Sequence, residues 1–169
     1  MKRLLSILAL CALALALTAC GGNNASSGGT SSGATSSGGE VSFDAVYQGI
    51  LDAQENTDEL IFFPEEGADA IESLYPGLSA LNPSRVQLYL PPVTGYACEI
   101  LLVEVAEDSV DAAKAILQAR VDSAANDTGY PENAVLWQSN AQVQVQGNCL
   151  CMIALPDGYT IPENVFALG

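Results

Sequence analysis

Histidine is absent from all 169 residues. With it go every His-dependent catalytic triad, His-ligated zinc site and imidazole acid–base mechanism. Positive charge is scarce as well: five Lys+Arg stand against twenty Asp+Glu, a formal net charge of −15. Beyond the first three residues the only cations are Arg85, Lys114 and Arg120. Such a polyanion cannot neutralise a phosphate backbone, so nucleic acid is excluded as a partner. The chain also lacks a G-x-S-x-G elbow, a P-loop and a G-x-G-x-x-G turn after a strand. Paired carboxylates are everywhere in so acidic a chain and therefore single out no glycosidase pair. The acidic groups at Glu65-Glu66, Asp69 and Glu72, and Glu104 to Asp111 lack the ligand spacing of a calcium loop. No motif implies a cofactor, and no internal repeat is visible.

What is present begins with an address. Met1-Lys2-Arg3 is a short basic region, and Leu4 to Leu17 then runs for fourteen residues without a charge. A membrane span needs roughly 20 apolar residues, so this stretch suits a signal-peptide core. It ends in Leu17-Thr18-Ala19-Cys20-Gly21, which resembles the lipobox of bacterial lipoproteins. There the Cys sulfur receives a diacylglyceryl group and the signal is cut just before it. The expectation is a signal peptide over 1–19 and lipidation of Cys20, which anchors the protein to the membrane without spanning it; two acyl chains give the membrane affinity that one lacks. Residues 20–39 hold the lipidated Cys and the run GGNNASSGGTSSGATSSGG. Its Gly/Ser composition makes a flexible tether, about 25 Å from end to end. After cleavage, three cations and twenty acids remain, a charge of 3 − 20 = −17. That charge favours solubility and repels an anionic envelope.

Residues 40–169 are long enough for one domain with a single hydrophobic core. Ser42 can cap a helix whose apolar face is Phe43, Val46, Tyr47, Ile50 and Leu51. Leu60 to Phe63 is a short apolar run closed by Pro64. A second helix follows in EEGADAIESLY and stops at Pro76-Gly77. RVQLYL (85–90) and YACEILLVEV (96–105) read as strands, the second apolar enough for burial on both sides of its middle. Asp108 or Ser109 is placed to cap the best helix, with Val110, Ala113, Leu117, Val121 and Ala124 on one stripe. Pro131 to Gln138 is ambiguous between strand and helix, and proline at a first helical position favours a short helix. Gln142 to Gln146 alternates strictly, Gly147-Asn148 is a two-residue turn, and Cys149 to Leu155 returns as a strand. The pattern predicts an α+β domain: an antiparallel sheet of about four strands with helices packed on one face.

From Phe43 to Leu155 the arrangement resembles a family of small lipoproteins of Gram-positive bacteria known only as a domain of unknown function. The likeness rests on the lipobox and tether, then FDAVYQGILDA, FPEEGADAIESLYPGL, EILLVEV with DSVDAAKAILQARVDSA behind it, Tyr130-Pro131-Glu132, and the Gly147-Asn148 hairpin. It implies location and architecture and carries no catalytic residue.

Cys11 leaves with the signal, so Cys98, Cys149 and Cys151 are the thiols of the domain. Cys149 and Cys151 share one strand face about 7 Å apart, too far for a comfortable mutual disulfide. Three readings stand open: buried free thiols acting as small hydrophobes, a disulfide from Cys98 to one of the other two, or soft-metal binding by all three. A two-residue turn pairs Gln146 with Cys149, Gln144 with Cys151 and Gln142 with Ile153. That register turns both thiols toward the glutamine face, where a reagent, Cys98 or a metal could reach them. Phe62, Phe63, Tyr89, Tyr96 and Trp137 are the aromatics available to line a pocket, a role less common for such residues than core packing. The resulting expectation is a lipid-anchored protein on the extracytoplasmic face of the cell membrane, non-catalytic, binding an envelope protein or a small ligand. The alternative is a thiol-dependent redox or soft-metal protein using Cys98, Cys149 and Cys151.

Overall fold

A computed structural model describes residues 40–57, 60–65, 67–93 and 97–169. The signal region, Cys20 and the tether lie outside the described residues. Ser42 accepts a hydrogen bond from the Ala45 N–H and opens α1 (Phe43–Asp52), as its spacing predicts. β1 (Phe63–Glu65), α2 (Ala68–Leu74), β2 (Arg85–Leu90) and β3 (Glu99–Glu104) follow. A 3₁₀ turn at Glu107–Ser109 leads into α3 (Val110–Ala125), and neither Asp108 nor Ser109 makes the side-chain cap expected of it. Instead the Ser109 N–H closes back on the Ala106 carbonyl. α4 (Pro131–Asn140) carries proline in its first turn and runs directly into β4 (Ala141–Gln146). β5 (Cys149–Ala154) completes the sheet.

The strands are all antiparallel in the order β1-β2-β3-β5-β4. The sheet therefore has five strands rather than about four. The addition is β1, three residues long with Pro64 in its middle, tolerable because an edge strand can spare an N–H. The hairpin register is the predicted one: Gln146 opposite Cys149, Gln144 opposite Cys151, Gln142 opposite Ile153. Gly147 sits at φ +60°, the left-handed conformation that the first position of this turn requires.

Helices do not keep to one face, and this corrects the expected layering. α3 and α4 cover the side formed by Leu88, Leu101, Val103, Leu150 and Met152. α1 and the C-terminal segment, ending in a 3₁₀ turn at Val165–Leu168, cover the side formed by Ile100, Leu102, Cys149, Cys151 and Ile153. The physical reason lies in β3 and β5. Both are apolar at odd and even positions alike, so each sheet face has apolar area to remove from water. The glutamines of β4 make only the outer margin of the second face polar. Cys149 and Cys151 thus sit beneath α1 and the tail, at 3% and 0% exposure, although the register that was expected to expose them is correct.

Candidate functional site

Both cysteines of β5 and Cys98, just before β3, are free and buried. Their shared face does not bring all three together. Cys151 pairs with Leu102 and Cys149 with Glu104, so Cys98 lies four and six residues away along the strand direction. At about 3.3 Å per residue that is roughly 13 and 20 Å, beyond disulfide reach. Burial, then the nearby Glu99 charge, pushes the Cys98 thiol up to about 12. Burial alone raises Cys151. Cys149 is raised by burial and by Glu104, against a smaller opposing pull from Arg85. Protonated, covered thiols are poor nucleophiles and poor ligands. Among the described residues no group of three or more Cys, Asp or Glu side chains is arranged to hold a metal ion.

The aromatics serve packing. Tyr47 stacks on Tyr89 with ring centroids 3.9 Å apart and meets Phe62 edge-on at 6.1 Å. Phe63 is exposed, and Tyr96 lies outside the described residues.

The cations, scarce in the sequence, mark the polar sites of the domain. β3 begins and ends in glutamate, and each end meets an arginine. At one end Arg85, directly across the β2–β3 ladder, bonds Glu104 at 2.6 Å, while Asn148 of the hairpin turn donates to the other Glu104 oxygen at 3.0 Å. The guanidinium lies 4.4 Å over the Phe43 ring and reaches Glu40 at 3.4 Å. Arg85 thereby ties the start of α1, the β2–β3 ladder and the β4–β5 turn together. Its hydrogen bond is the main cause of the lowered pKa of Glu104.

At the other end Glu99 is 3% exposed and sits on the α3 side of the sheet with Leu101 and Val103. Arg120 of α3 bonds it through both oxygens, at 2.5 and 3.2 Å, and Tyr75 donates its hydroxyl to it at 2.5 Å. Trp137 of α4 lies 4.8 Å under the guanidinium. Burial first, and then the Glu99 charge, push the Tyr75 hydroxyl well above its ordinary value, so it stays a donor. On the outer side of Arg120 a groove of about 450 Å³ is bordered by Asp127, Tyr130, Asn133 and Trp137. Sequence reasoning missed this cluster. Its signal was a carboxylate in the inward register of an otherwise apolar strand, with one of the few arginines next to the buried stripe of α3.

These features define a class: a small acidic α+β domain with a doubly covered sheet, whose buried charges neutralise each other and whose thiols are sealed. More specifically, the chain belongs to the family described as Domain of unknown function (DUF4358), whose model matches residues 66–155, just over half of its length. The match takes in both arginine–glutamate pairs and the closing hairpin, and leaves α1 and the C-terminal segment outside it. No curated protein and no solved structure matches the chain.

Proposed function

We propose that the chain is an extracytoplasmic lipoprotein, anchored to the cell membrane through lipid on Cys20, whose domain acts by binding an envelope protein or a small ligand rather than by catalysis. The observation that carries this reading is the order of a basic start, an apolar core and Leu17-Thr18-Ala19-Cys20-Gly21, followed by a Gly/Ser tether. The chemistry of the domain supports its second half. Arg85 and Arg120 are engaged by glutamates, and burial holds the thiols protonated. The thiol-dependent alternative draws less support, because Cys98 stands far from the other two along the sheet.

Fractionation of cells tests the anchor. The mature protein is expected in the membrane fraction, and Cys20→Ala is expected to accumulate as an unprocessed precursor. Normal processing and tethering of that variant would sink the lipobox reading. For the binding role, Trp137 is the single tryptophan of the chain and borders the groove beside Arg120. A small ligand in that groove is expected to change its fluorescence, and a protein partner is expected to appear in cross-links made on living cells.

A further inference from the structure

We propose that β4 is a self-association edge, pairing antiparallel with β4 of a second copy to join two five-stranded sheets into one. β4 closes one side of the sheet. The two-residue turn makes Gln146 and Cys149 a hydrogen-bonded pair, so Gln142, Gln144 and Gln146 direct their backbone groups to β5. The N–H and C=O of Val143 and Val145 therefore point outward, and among the described residues no strand lies beyond them.

Edges are usually blunted by shortness, proline or charge. The opposite edge shows these devices: β1 has three residues, contains Pro64 and ends in Glu65. β4 has six residues with no proline and no charge. It lies inside the 24-residue stretch from Asn133 to Pro156 that holds no charged residue, in a domain of charge 3 − 20 = −17. Two such polyanions repel each other as a whole, but least across a strand that carries no charge itself and has only the exposed Glu163 in the tail segment bonded to Gln144. This favours a second copy on this edge over any other part of the surface.

The sequence of the strand is also self-complementary. Gln142-Val143-Gln144-Val145-Gln146 reads the same in both directions. An antiparallel pairing about a two-fold axis at Gln144 sets Gln142 against Gln146 and Val143 against Val145. Every glutamine then faces a glutamine and every valine a valine. The same register makes each Val143–Val145 pair a hydrogen-bonded one, using the outward backbone groups on both copies. It also gives the 39%-exposed Val145 an apolar neighbour.

The test is sedimentation of the full chain in detergent, at low salt and at about 0.5 M salt. A monomer–dimer equilibrium is expected that shifts toward dimer as salt screens the repulsion. Val145→Pro removes an outward N–H without breaking a β4–β5 bond, and Val145→Lys adds charge while keeping that N–H. Both are expected to weaken the dimer by about tenfold or more while the monomer stays folded, because Val145 is partly exposed and its backbone makes no β4–β5 bond. A chain that stays monomeric at every salt concentration overturns the proposal. So does a dimer that both Val145 variants leave intact.

Discussion

Glu99 shows what a buried carboxylate demands of its surroundings. It stands at an inward position of a strand whose next residues are Ile, Leu, Leu and Val, and taking its charge out of water costs several kcal/mol unless the charge is met. Arg120 meets both oxygens and Tyr75 adds a third hydrogen bond. Removing one partner should therefore cost far more than removing both. Glu99→Gln keeps the shape and strands the Arg120 charge. It is expected to cost about 3 kcal/mol, near the lower end for a broken buried pair because Arg120 keeps a fifth of its side chain in water. Glu99→Met combined with Arg120→Met is expected to regain most of that loss. Urea unfolding of the three proteins measures both differences, and a Gln variant within about 1 kcal/mol of the parent would mean the pair is not a stabilising unit. Little of this was legible beforehand. A single acid in an apolar strand reads equally well as the strand's wet end, and only the tertiary fold decides which arginine answers it.

Elements with a long, unbroken period were legible, and short ones were not. α3 repeats its apolar stripe over four turns, and Ala113, Leu117, Val121 and Ala124 are buried while Lys114, Gln118 and Asp122 face water. The hairpin was legible because strict alternation and a Gly-Asn turn fix register together. β1 was missed: three residues around a proline have no period, and only pairing with Leu88, Tyr89 and Leu90 makes them a strand. In α4, Val135 and Trp137 are two apart, as if on one strand face, yet Val135 is 61% exposed and Trp137 5%. Opposite environments at that spacing fit a helix, where two residues turn the chain by about 200°. The phase of α3 yields a direct test. Leu117 is fully buried, so Leu117→Ala is expected to cost about 2–5 kcal/mol. Gln118 sits on the water side, bonded only to Asp122, and Gln118→Ala is expected to cost less than about 0.5 kcal/mol. Similar small shifts in melting temperature for both would show that the helix does not pack on the sheet through this face.

At the scale of the whole molecule, the second cover of the sheet joins the two ends of the domain, and this is where sequence reasoning ran out. The stripe of α1 shows that it packs but not on which face. The tail offers two prolines and a few apolar residues without a period. In the fold, Val165 and Phe166 are buried with Phe43, Val46 and Ile50 of α1 over Cys149 and Cys151. Gln144 holds the tail in place, donating to the Pro162 carbonyl at 2.8 Å and accepting from the Val165 N–H at 2.9 Å. α1 and the tail approach so closely that a Cβ on Gly49 would stand 2.5 Å from the Cβ of Leu168. The thiols then report on this cover. In the intact protein Cys98, Cys149 and Cys151 are buried, with burial raising all three pKa values, so a thiol reagent at pH 8 is expected to label none of them until denaturant is added. Phe166→Ala deletes a buried ring and is expected to cost about 3–5 kcal/mol, a large share of a domain stability of roughly 5–15 kcal/mol. It is also expected to open Cys149 and Cys151 to the reagent under native conditions while Cys98 stays slower. Gly49→Ala provides the control on cause. In an open helix the change would stabilise by about 0.5–1 kcal/mol, but here it forces the tail from α1 and is expected to destabilise and to speed labelling of the same two thiols. If labelling in both variants stays as slow as in the parent, the tail is not what seals that face.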